Sequence, residues 1–168
     1  MKAPSNSELT TETHVFFLRG VFSNFTSTPM MQYKGHSFQT TEQAFMWAKA
    51  QLFGDKDSAR LILAEKNPAK AKELGRGVKG FNPTHWDINK EFLMYEVNLA
   101  KYSQFDDYKS VLLSTGEKEL VEANGRPDLV WSCGLYVSHK DILNESKWPG
   151  QNLLGKVLMK IREELRSC

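Results

Sequence analysis

The order of apolar and polar positions predicts a mostly helical chain with a few short strands towards its two ends. Between residues 40 and 115, apolar residues recur at helical spacing, and caps and glycines divide the stretch into five helices. A closing helix is expected at 150–166. Four other segments have strand-like patterns: 14–20, 30–38, 118–124 and 129–137. The fold class that follows is α+β, with one compact domain at 13–168 behind a polar, flexible leader at 1–12.

One predicted helix carries two charges where its pattern calls for apolar residues. The stretch TTEQAFMWAKAQLF, residues 40–53, starts with a capping box of Thr40 and Gln43 and has almost no polar face. Glu42 and Lys49 nonetheless lie seven residues apart on it, nearly one above the other. One interpretation is structural, because an acid suits a helix N-terminus and a lysine can extend to water. The other is functional, because an apolar pocket moves the pKa values of both groups toward neutrality, as a general acid and an amine nucleophile require.

Composition and charge exclude some classes of function without selecting one. The chain has 168 residues, 40% hydrophobic and 25% charged, and its net charge of +2 is too small to predict nucleic-acid or membrane binding by itself. With no apolar run of about 18 residues and no signal-peptide pattern, we expect a soluble cytoplasmic protein, with access to the nucleus in a eukaryotic cell and no membrane partner. Neither the cysteines nor the histidines have metal-ligand spacing, and the common nucleotide-binding and serine-hydrolase motifs are missing. We therefore predict no metal site and no cofactor.

A second candidate segment, NGRPDLVWSCGLYV at 124–137, combines a turn with a carboxylate. In a structural role, Asp128 is an Asx-type turn residue that introduces a strand. In a functional role, it is a loop carboxylate beside the Trp131 ring, suited to a ribose hydroxyl or to the charge of an oxocarbenium ion. Gly134 would then let a ligand approach the backbone closely. The pattern leaves both interpretations open.

Five further residues are candidates for ligand binding because of their neighbours. The Asn24 amide and the Phe25 ring suit hydrogen bonding to a base and stacking on it, although a simple turn explains them as well. Asn152 starts the closing helix, where free backbone N–H groups favour a phosphate. Arg19 is a candidate anion partner and Trp86 a candidate stacking surface, while a solvated arginine and a core tryptophan are the ordinary alternatives.

Taken together, these stretches resemble the NADAR family, the YbiA-like proteins named for their association with NAD and ADP-ribose. The matching motifs are FSNF at 22–25, F-x-T-x-EQAFMWAKA at 38–50, AKELGR at 71–76, Trp86, RPDLVWSCG at 126–134 and WPGQNLLGKVLM at 148–159. They occur in family order and span nearly the whole chain after the leader. Cys133 interrupts what is often a simpler W-G-x-G pattern. The resemblance implies a mainly helical α+β domain that acts as an N-glycosidase.

The resemblance also implies catalytic residues. The family's acidic and lysine positions fall on Glu42 and Lys49, and the carboxylate of its P-D-x-x-W segment falls on Asp128. Its pocket positions fall on Asn24, Trp86, Trp131 and Asn152. We expect Glu42 to protonate the departing base amine while Lys49 captures ribose C1 as a Schiff base. Phe45 and Met46 are expected to desolvate the amine. Asp128 would orient the ribose hydroxyls or stabilise the cationic transition state.

Three hypotheses about function stay open at this point. The first is release of ADP-ribose from ADP-ribosylated guanosine in DNA or RNA, which reverses the modification made by a DarT-type ADP-ribosyltransferase. The second is cleavage of the N-glycosidic bond in phosphorylated riboflavin-pathway intermediates. The third is a non-catalytic ADP-ribose-binding module, which the presence of all three catalytic positions disfavours. Direct hydrolysis without a lysine adduct, as in two-carboxylate glycosidases, is the alternative mechanism.

Overall fold

The computed structural model describes residues 8–125 and 128–167, which divide into two compact units. The first unit is built from both ends of the chain, up to residue 23 and from residue 107 onward, and the second is the continuous stretch 24–106. Each unit contains helices and strands, so the predicted α+β class is confirmed. That residues 13–168 form one domain stays a prediction.

The first unit contains a three-stranded sheet. Its elements are β1 (Glu8–Thr10), β2 (His14–Phe17), most of α5 (Asp106–Ser114), β5 (Glu119–Glu122), a 3₁₀ turn (Glu145–Lys147) and α6 (Leu153–Arg166). The strand order is β1-β2-β5, with β1 antiparallel to β2 and β2 parallel to β5. The leucine, valine and isoleucine stripe of α6 is buried, and α6 packs against β5.

Two predictions about the first unit are corrected. Residues 8–10 lie within the predicted leader but form the edge strand β1, and residues 1–7 lie outside the described residues. The strand predicted at 129–137 is wrong, since residues 128–142 form turns and bends. The physical reason is that five consecutive carbonyls of this segment, 129–133, accept hydrogen bonds from the backbone N–H groups of 150–154. The apolar run thus caps the start of α6 with its backbone and does not extend the sheet.

The second unit is a helical cluster with one hairpin. Its elements are β3 (Met31–Tyr33), β4 (His36–Phe38), α1 (Thr41–Leu52), α2 (Lys56–Ala64), α3 (Pro68–Arg76) and α4 (Pro83–Gln104). The segment predicted as one strand at 30–38 is this hairpin, and Lys34 and Gly35 have positive φ at its turn. Helix α1 packs against α2, α3 and α4, and this central place explains why it has almost no polar face.

Local sequence signals set the helix starts in the second unit. Thr40 accepts a hydrogen bond from the Gln43 N–H at 3.1 Å, which is one half of the predicted capping box. The Gln43 side chain accepts instead from the N–H of Gln39 at 2.9 Å, one residue before the cap. Asn67 and Asn82 cap α3 and α4, each followed by a proline in the first turn. Among the described helices, none has the length and apolar character needed to cross a membrane.

Candidate active site

The N-terminal end of α1 holds a buried carboxylic acid. Glu42 is only 4% exposed, and its backbone N–H donates to the Asn24 carbonyl at 3.0 Å. Burial of a carboxylate is costly unless the side chain has partners or a function. Lys49 lies two turns further along the same helix, about 10 Å along its axis. The structure thus keeps both predicted groups on one helix of the second unit.

The Lys49 amine lies among aromatic rings. Its Nζ is 4.6 Å from the centroid of the Phe81 ring and 5.1 Å from that of Trp86. The side chain is half-buried, and this burial lowers the pKa of the Lys49 amine, with a further lowering from the nearby charge of Arg76. The rings over the amine are thus Phe81 and Trp86, and desolvation of the amine by Phe45 and Met46 stays a prediction. Phe45 packs against Trp86, and the centroids of the two rings are 5.4 Å apart.

Asn24 connects the start of α1 to α4. Its side-chain Oδ1 accepts from the Thr41 hydroxyl at 3.1 Å and from the Asn98 amide at 3.2 Å, while its Nδ2 lies 3.1 Å from the Met94 sulfur. These partners occupy the amide that was predicted to contact a ligand. The structure therefore places Asn24 where it positions the backbone next to Glu42, and a direct ligand contact stays a prediction.

Two buried polar residues of α4 were missed by the sequence analysis. Asn98 and Lys101 are both fully buried, and Asn98 Oδ1 has no hydrogen-bond partner in the described part of the chain. Burial lowers the pKa of Lys101 to about 7. The available signal was the same as for Glu42 and Lys49, since both residues continue the helical spacing of the buried Met94 and Val97.

Asp128 lies in the first unit and introduces a turn. Its Oδ1 accepts from the backbone N–H of Trp131 at 2.9 Å and more weakly from that of Val130 at 3.3 Å. This is the Asx-type arrangement of the structural interpretation, one of the two that the sequence left open. Gly134 has a φ of +81°, and a Cβ at that position would meet Pro149 and Leu129 side-chain atoms at 2.7–2.8 Å. Close packing within the protein therefore explains this glycine without a ligand.

The backbone N–H groups that lead into α6 already have partners within the described residues. The N–H groups of 150–154 donate to carbonyls 129–133, so the described protein itself occupies them. The Asn152 side chain bonds to β5, with Oδ1 accepting from the Glu122 N–H at 3.0 Å and Nδ2 donating to the Leu120 carbonyl at 2.9 Å. Asn152 thus joins α6 to the sheet.

The remaining candidates differ in exposure. Arg19 is exposed, Trp131 is partly buried, and Phe25 is 42% exposed. The Lys72 Nζ lies 5.7 Å from the centroid of the Phe25 ring, so a cation and an exposed aromatic face are neighbours in the second unit. Residues 126–127, the first two of the RPDLVWSCG motif, lie outside the described residues.

The chain belongs to the NADAR family, since the model of the NADAR domain matches residues 11–166. N-glycosidase R617 of Acanthamoeba polyphaga mimivirus is 46% identical over 127 residues, which cover 76% of this chain and 74% of that protein. Protein irg-1 of Caenorhabditis elegans is 38% identical over 144 residues, covering 84% of this chain and 68% of that protein.

Bacterial relatives extend the comparison to a solved structure. N-glycosidase YbiA of Escherichia coli (strain K12) is 30% identical over 146 residues, which cover 87% of this chain and 81% of that protein. An NMR structure of E. coli YbiA matches with a TM-score of 0.74 and 28% identity, over 96% of this chain and 89% of that one. The family's α+β fold is therefore confirmed, and the comparisons support an N-glycosidase function in general terms.

Proposed function

We propose that this protein is an N-glycosidase that hydrolyses the bond between ADP-ribose and the amine of a guanine base in DNA or RNA. The observation that carries the proposal is the half-buried Lys49 amine, whose pKa is lowered, on the same helix as the buried acid Glu42. An amine with a lowered pKa is a better nucleophile at neutral pH, because more of it is deprotonated. The names of the relatives agree with cleavage of an N-glycosidic bond.

The proposed reaction proceeds in two steps that consume one water molecule. First, the bond between ribose C1 and the guanine amine breaks, its electron pair leaves with the amine, and Glu42 supplies the proton. The Lys49 Nζ forms a bond to C1 and passes a proton to the ring oxygen, and opening of the ribose ring gives a protonated Schiff base. Water then adds to C1, the C1–Nζ bond breaks, the ribose ring closes and a proton returns to Glu42, so free ADP-ribose leaves with Glu42 and Lys49 both restored.

Other residues support these steps without forming covalent bonds to the substrate. Thr41 and Asn98 hold the Asn24 amide, and the Asn24 carbonyl accepts from the Glu42 N–H, so the three act as positioning residues for the acid. For Asp128 we keep the role that the family resemblance assigns, which is to orient the ribose hydroxyls or to stabilise the cationic transition state. Asp128 also accepts a hydrogen bond within its own turn, so it can have this role and a structural role together.

A single-stranded or flipped guanosine suits this chain better than an intact duplex. The net charge is only +2, so phosphate binding must come from a local patch. Lys72 beside the exposed Phe25 ring supplies a cation and a stacking face together, which is the usual pair of features for binding unpaired bases. A DarT-type ADP-ribosyltransferase would make the substrate, and ADP-ribose is the product.

Reductive trapping tests the proposed intermediate. Active protein is mixed with an ADP-ribosylated guanosine oligonucleotide and borohydride, and the adduct is mapped by mass spectrometry. We expect a reduced ADP-ribose adduct on Lys49, which is lost in Lys49→Ala and kept in Lys90→Ala, a change of another partly buried lysine in the same unit. Release of ADP-ribose without any trapped adduct would contradict the Schiff base and support direct hydrolysis.

A further inference from the structure

Three titratable side chains from distant parts of the chain converge in the first unit. His14 is the first residue of β2, Glu119 is the first residue of β5, and the two are register partners in the parallel pair. Glu145 comes from the 3₁₀ turn that precedes α6. One ligand atom from each residue lies within 4.8 Å of the other two. The family's glycosidase chemistry, as proposed above, uses none of these residues.

We propose that His14, Glu119 and Glu145 bind a divalent transition-metal cation of the zinc class. The His14 Nε2 lies 3.0 Å from a Glu145 oxygen and 3.8 Å from a Glu119 oxygen. Ligands of tetrahedral zinc at bond lengths of about 2.0–2.1 Å are separated from one another by about 3.3 Å. The two observed separations lie on either side of this value. An imidazole nitrogen and carboxylate oxygens are both ligand types that zinc accepts, and three of them would leave the fourth tetrahedral position to water.

The His14 ring is already held in the orientation that such a site needs. Its Nδ1 lies 2.7 Å from the Thr13 hydroxyl, and this contact orients the ring with Nε2 towards the two carboxylates. The ring stacks on Phe16 at 5.2 Å and 9°, and it meets the edge of Trp148 at 6.2 Å. These contacts fix the direction in which Nε2 points.

Charge favours a cation at this position. Two carboxylates and one imidazole nitrogen converge on the same point, and a divalent cation between them would offset the mutual repulsion of the carboxylates. Glu145 is half-exposed, with 53% of its side chain accessible, so its carboxylate can adjust to the metal without moving the backbone.

The metal would fasten an irregular segment to the sheet. Residues 128–148 lack regular structure apart from the 3₁₀ turn, yet Glu145 and Trp148 both reach the His14 side chain. Trp148 also donates from Nε1 to the Ile142 carbonyl at 2.9 Å. A metal at His14 would therefore link β2, β5 and this segment. The sequence analysis predicted no metal site because the histidines lack paired ligand spacing, and His14 and Glu145, which are 131 residues apart, form no local motif.

Zinc titration of the untagged, full-length, EDTA-treated chain tests the site. By isothermal titration calorimetry we expect one Zn²⁺ per chain, and Glu145→Gln should weaken binding more than about tenfold, since even residues outside the ligand shell change metal affinity by 10–100-fold. Glu12→Gln, an exposed acid between β1 and β2, is the matched control and should bind like the wild type.

Two further measurements separate a metal site from a simple ion pair. Zn²⁺ should shift the NMR resonances of the His14 ring and raise the midpoint of thermal unfolding in the wild type but not in Glu145→Gln. Mg²⁺ should produce neither effect, because it prefers oxygen ligands in an octahedral site. Absence of 1:1 zinc binding, or equal binding by Glu145→Gln and Glu12→Gln, would overturn the proposal and leave a proton-dependent ion pair. None of these readouts depends on glycosidase activity.

Discussion

The Lys49 amine lies 4.6 Å from the centroid of the Phe81 ring, a cation over an aromatic face. Such a contact favours the charged amine by about 0.5–2 kcal/mol, whereas burial and the Arg76 charge favour the neutral amine. Burial, and to a lesser extent the Arg76 charge, lower the pKa of Lys49. The aromatic rings therefore hold the amine in place while their bulk removes the water that would keep it protonated.

Arg76 offers a way to change the Lys49 pKa without touching the amine. In Arg76→Gln the positive charge is removed, so the pKa of Lys49 should rise toward its ordinary value. If Lys49 must be deprotonated to attack, the acidic limb of the pH–rate profile moves to higher pH and the rate at neutral pH falls. Raising the ionic strength of the wild type should move the profile in the same direction, because salt screens the Arg76 charge.

Lys70→Gln is the matched control for the Arg76 prediction. Lys70 is an exposed cation on the same helix, α3, and does not contribute to the Lys49 pKa. Its profile should coincide with that of the wild type. Equal shifts in both variants would mean that net charge, rather than the Arg76–Lys49 interaction, sets the profile.

Asn98→Ala should destabilise the second unit. The substitution removes the hydrogen bond to Asn24 Oδ1 and leaves a small cavity, for a loss of about 1–3 kcal/mol in the free energy of unfolding. The gain from removing the unpartnered Asn98 oxygen offsets part of this loss. Urea unfolding measures the net change in the free energy of unfolding. Asn89→Ala, which removes an exposed amide from the same helix, should stay within about 0.5 kcal/mol of the wild type, and a comparable loss there would argue against a special role for Asn98.

Because the Lys101 amine is buried, we expect the free energy of unfolding to depend on pH. Burial lowers the pKa of Lys101 to about 7, against about 10.4 in the unfolded chain. Between these values the unfolded chain binds a proton that the folded chain has released, so stability rises with pH from about 7 to about 10. The wild type should gain stability over this range relative to Lys101→Met, as measured by urea unfolding at pH 6 and pH 9. Parallel pH curves for the two proteins would show that Lys101 has an ordinary pKa.

Gly155→Ala should disrupt the contact between α6 and the sheet. A Cβ at Gly155 would overlap the Leu120 backbone carbonyl and come within 2.6 Å of the Asn152 amide. The overlap outweighs the gain of about 1 kcal/mol that alanine brings to a helix, so we expect a net loss of about 3 kcal/mol or more. At Gly77 a Cβ meets only the Leu74 carbonyl at 3.5 Å, and Gly77→Ala should be close to neutral in the same thermal unfolding experiment.

The helices of the second unit could be predicted because their signals are local. Asn67 with Pro68, and the Thr40 hydroxyl with the Gln43 N–H, lie within a few residues of the helix starts that they set. The strand predicted at 129–137 is wrong because the signal that decides its structure is distant. Its apolar pattern is strand-like, but its carbonyls accept hydrogen bonds from N–H groups some twenty residues later in the chain. A local pattern of apolar residues does not reveal such long-range partners.

The candidate site shows the same division between local and distant information. Glu42 and Lys49 could be found because two charges interrupt an apolar helix, and the same test applied to α4 would have found Asn98 and Lys101. The rings that surround the Lys49 amine could not be found in this way, since Phe81 is 32 residues away and lies in a loop.

The most direct test of the central claim follows release of free ADP-ribose from a single-stranded oligonucleotide carrying ADP-ribosylated guanosine. The wild type and Lys90→Ala should release ADP-ribose and restore guanosine, while Glu42→Ala and Lys49→Ala, checked to be folded, should not. Cleavage of phosphorylated riboflavin-pathway intermediates alone would assign the site to that substrate, and binding of ADP-ribose without cleavage of either would make the protein a binding module. An oligonucleotide left intact by the wild type, or release by Lys49→Ala at the wild-type rate, would contradict the account.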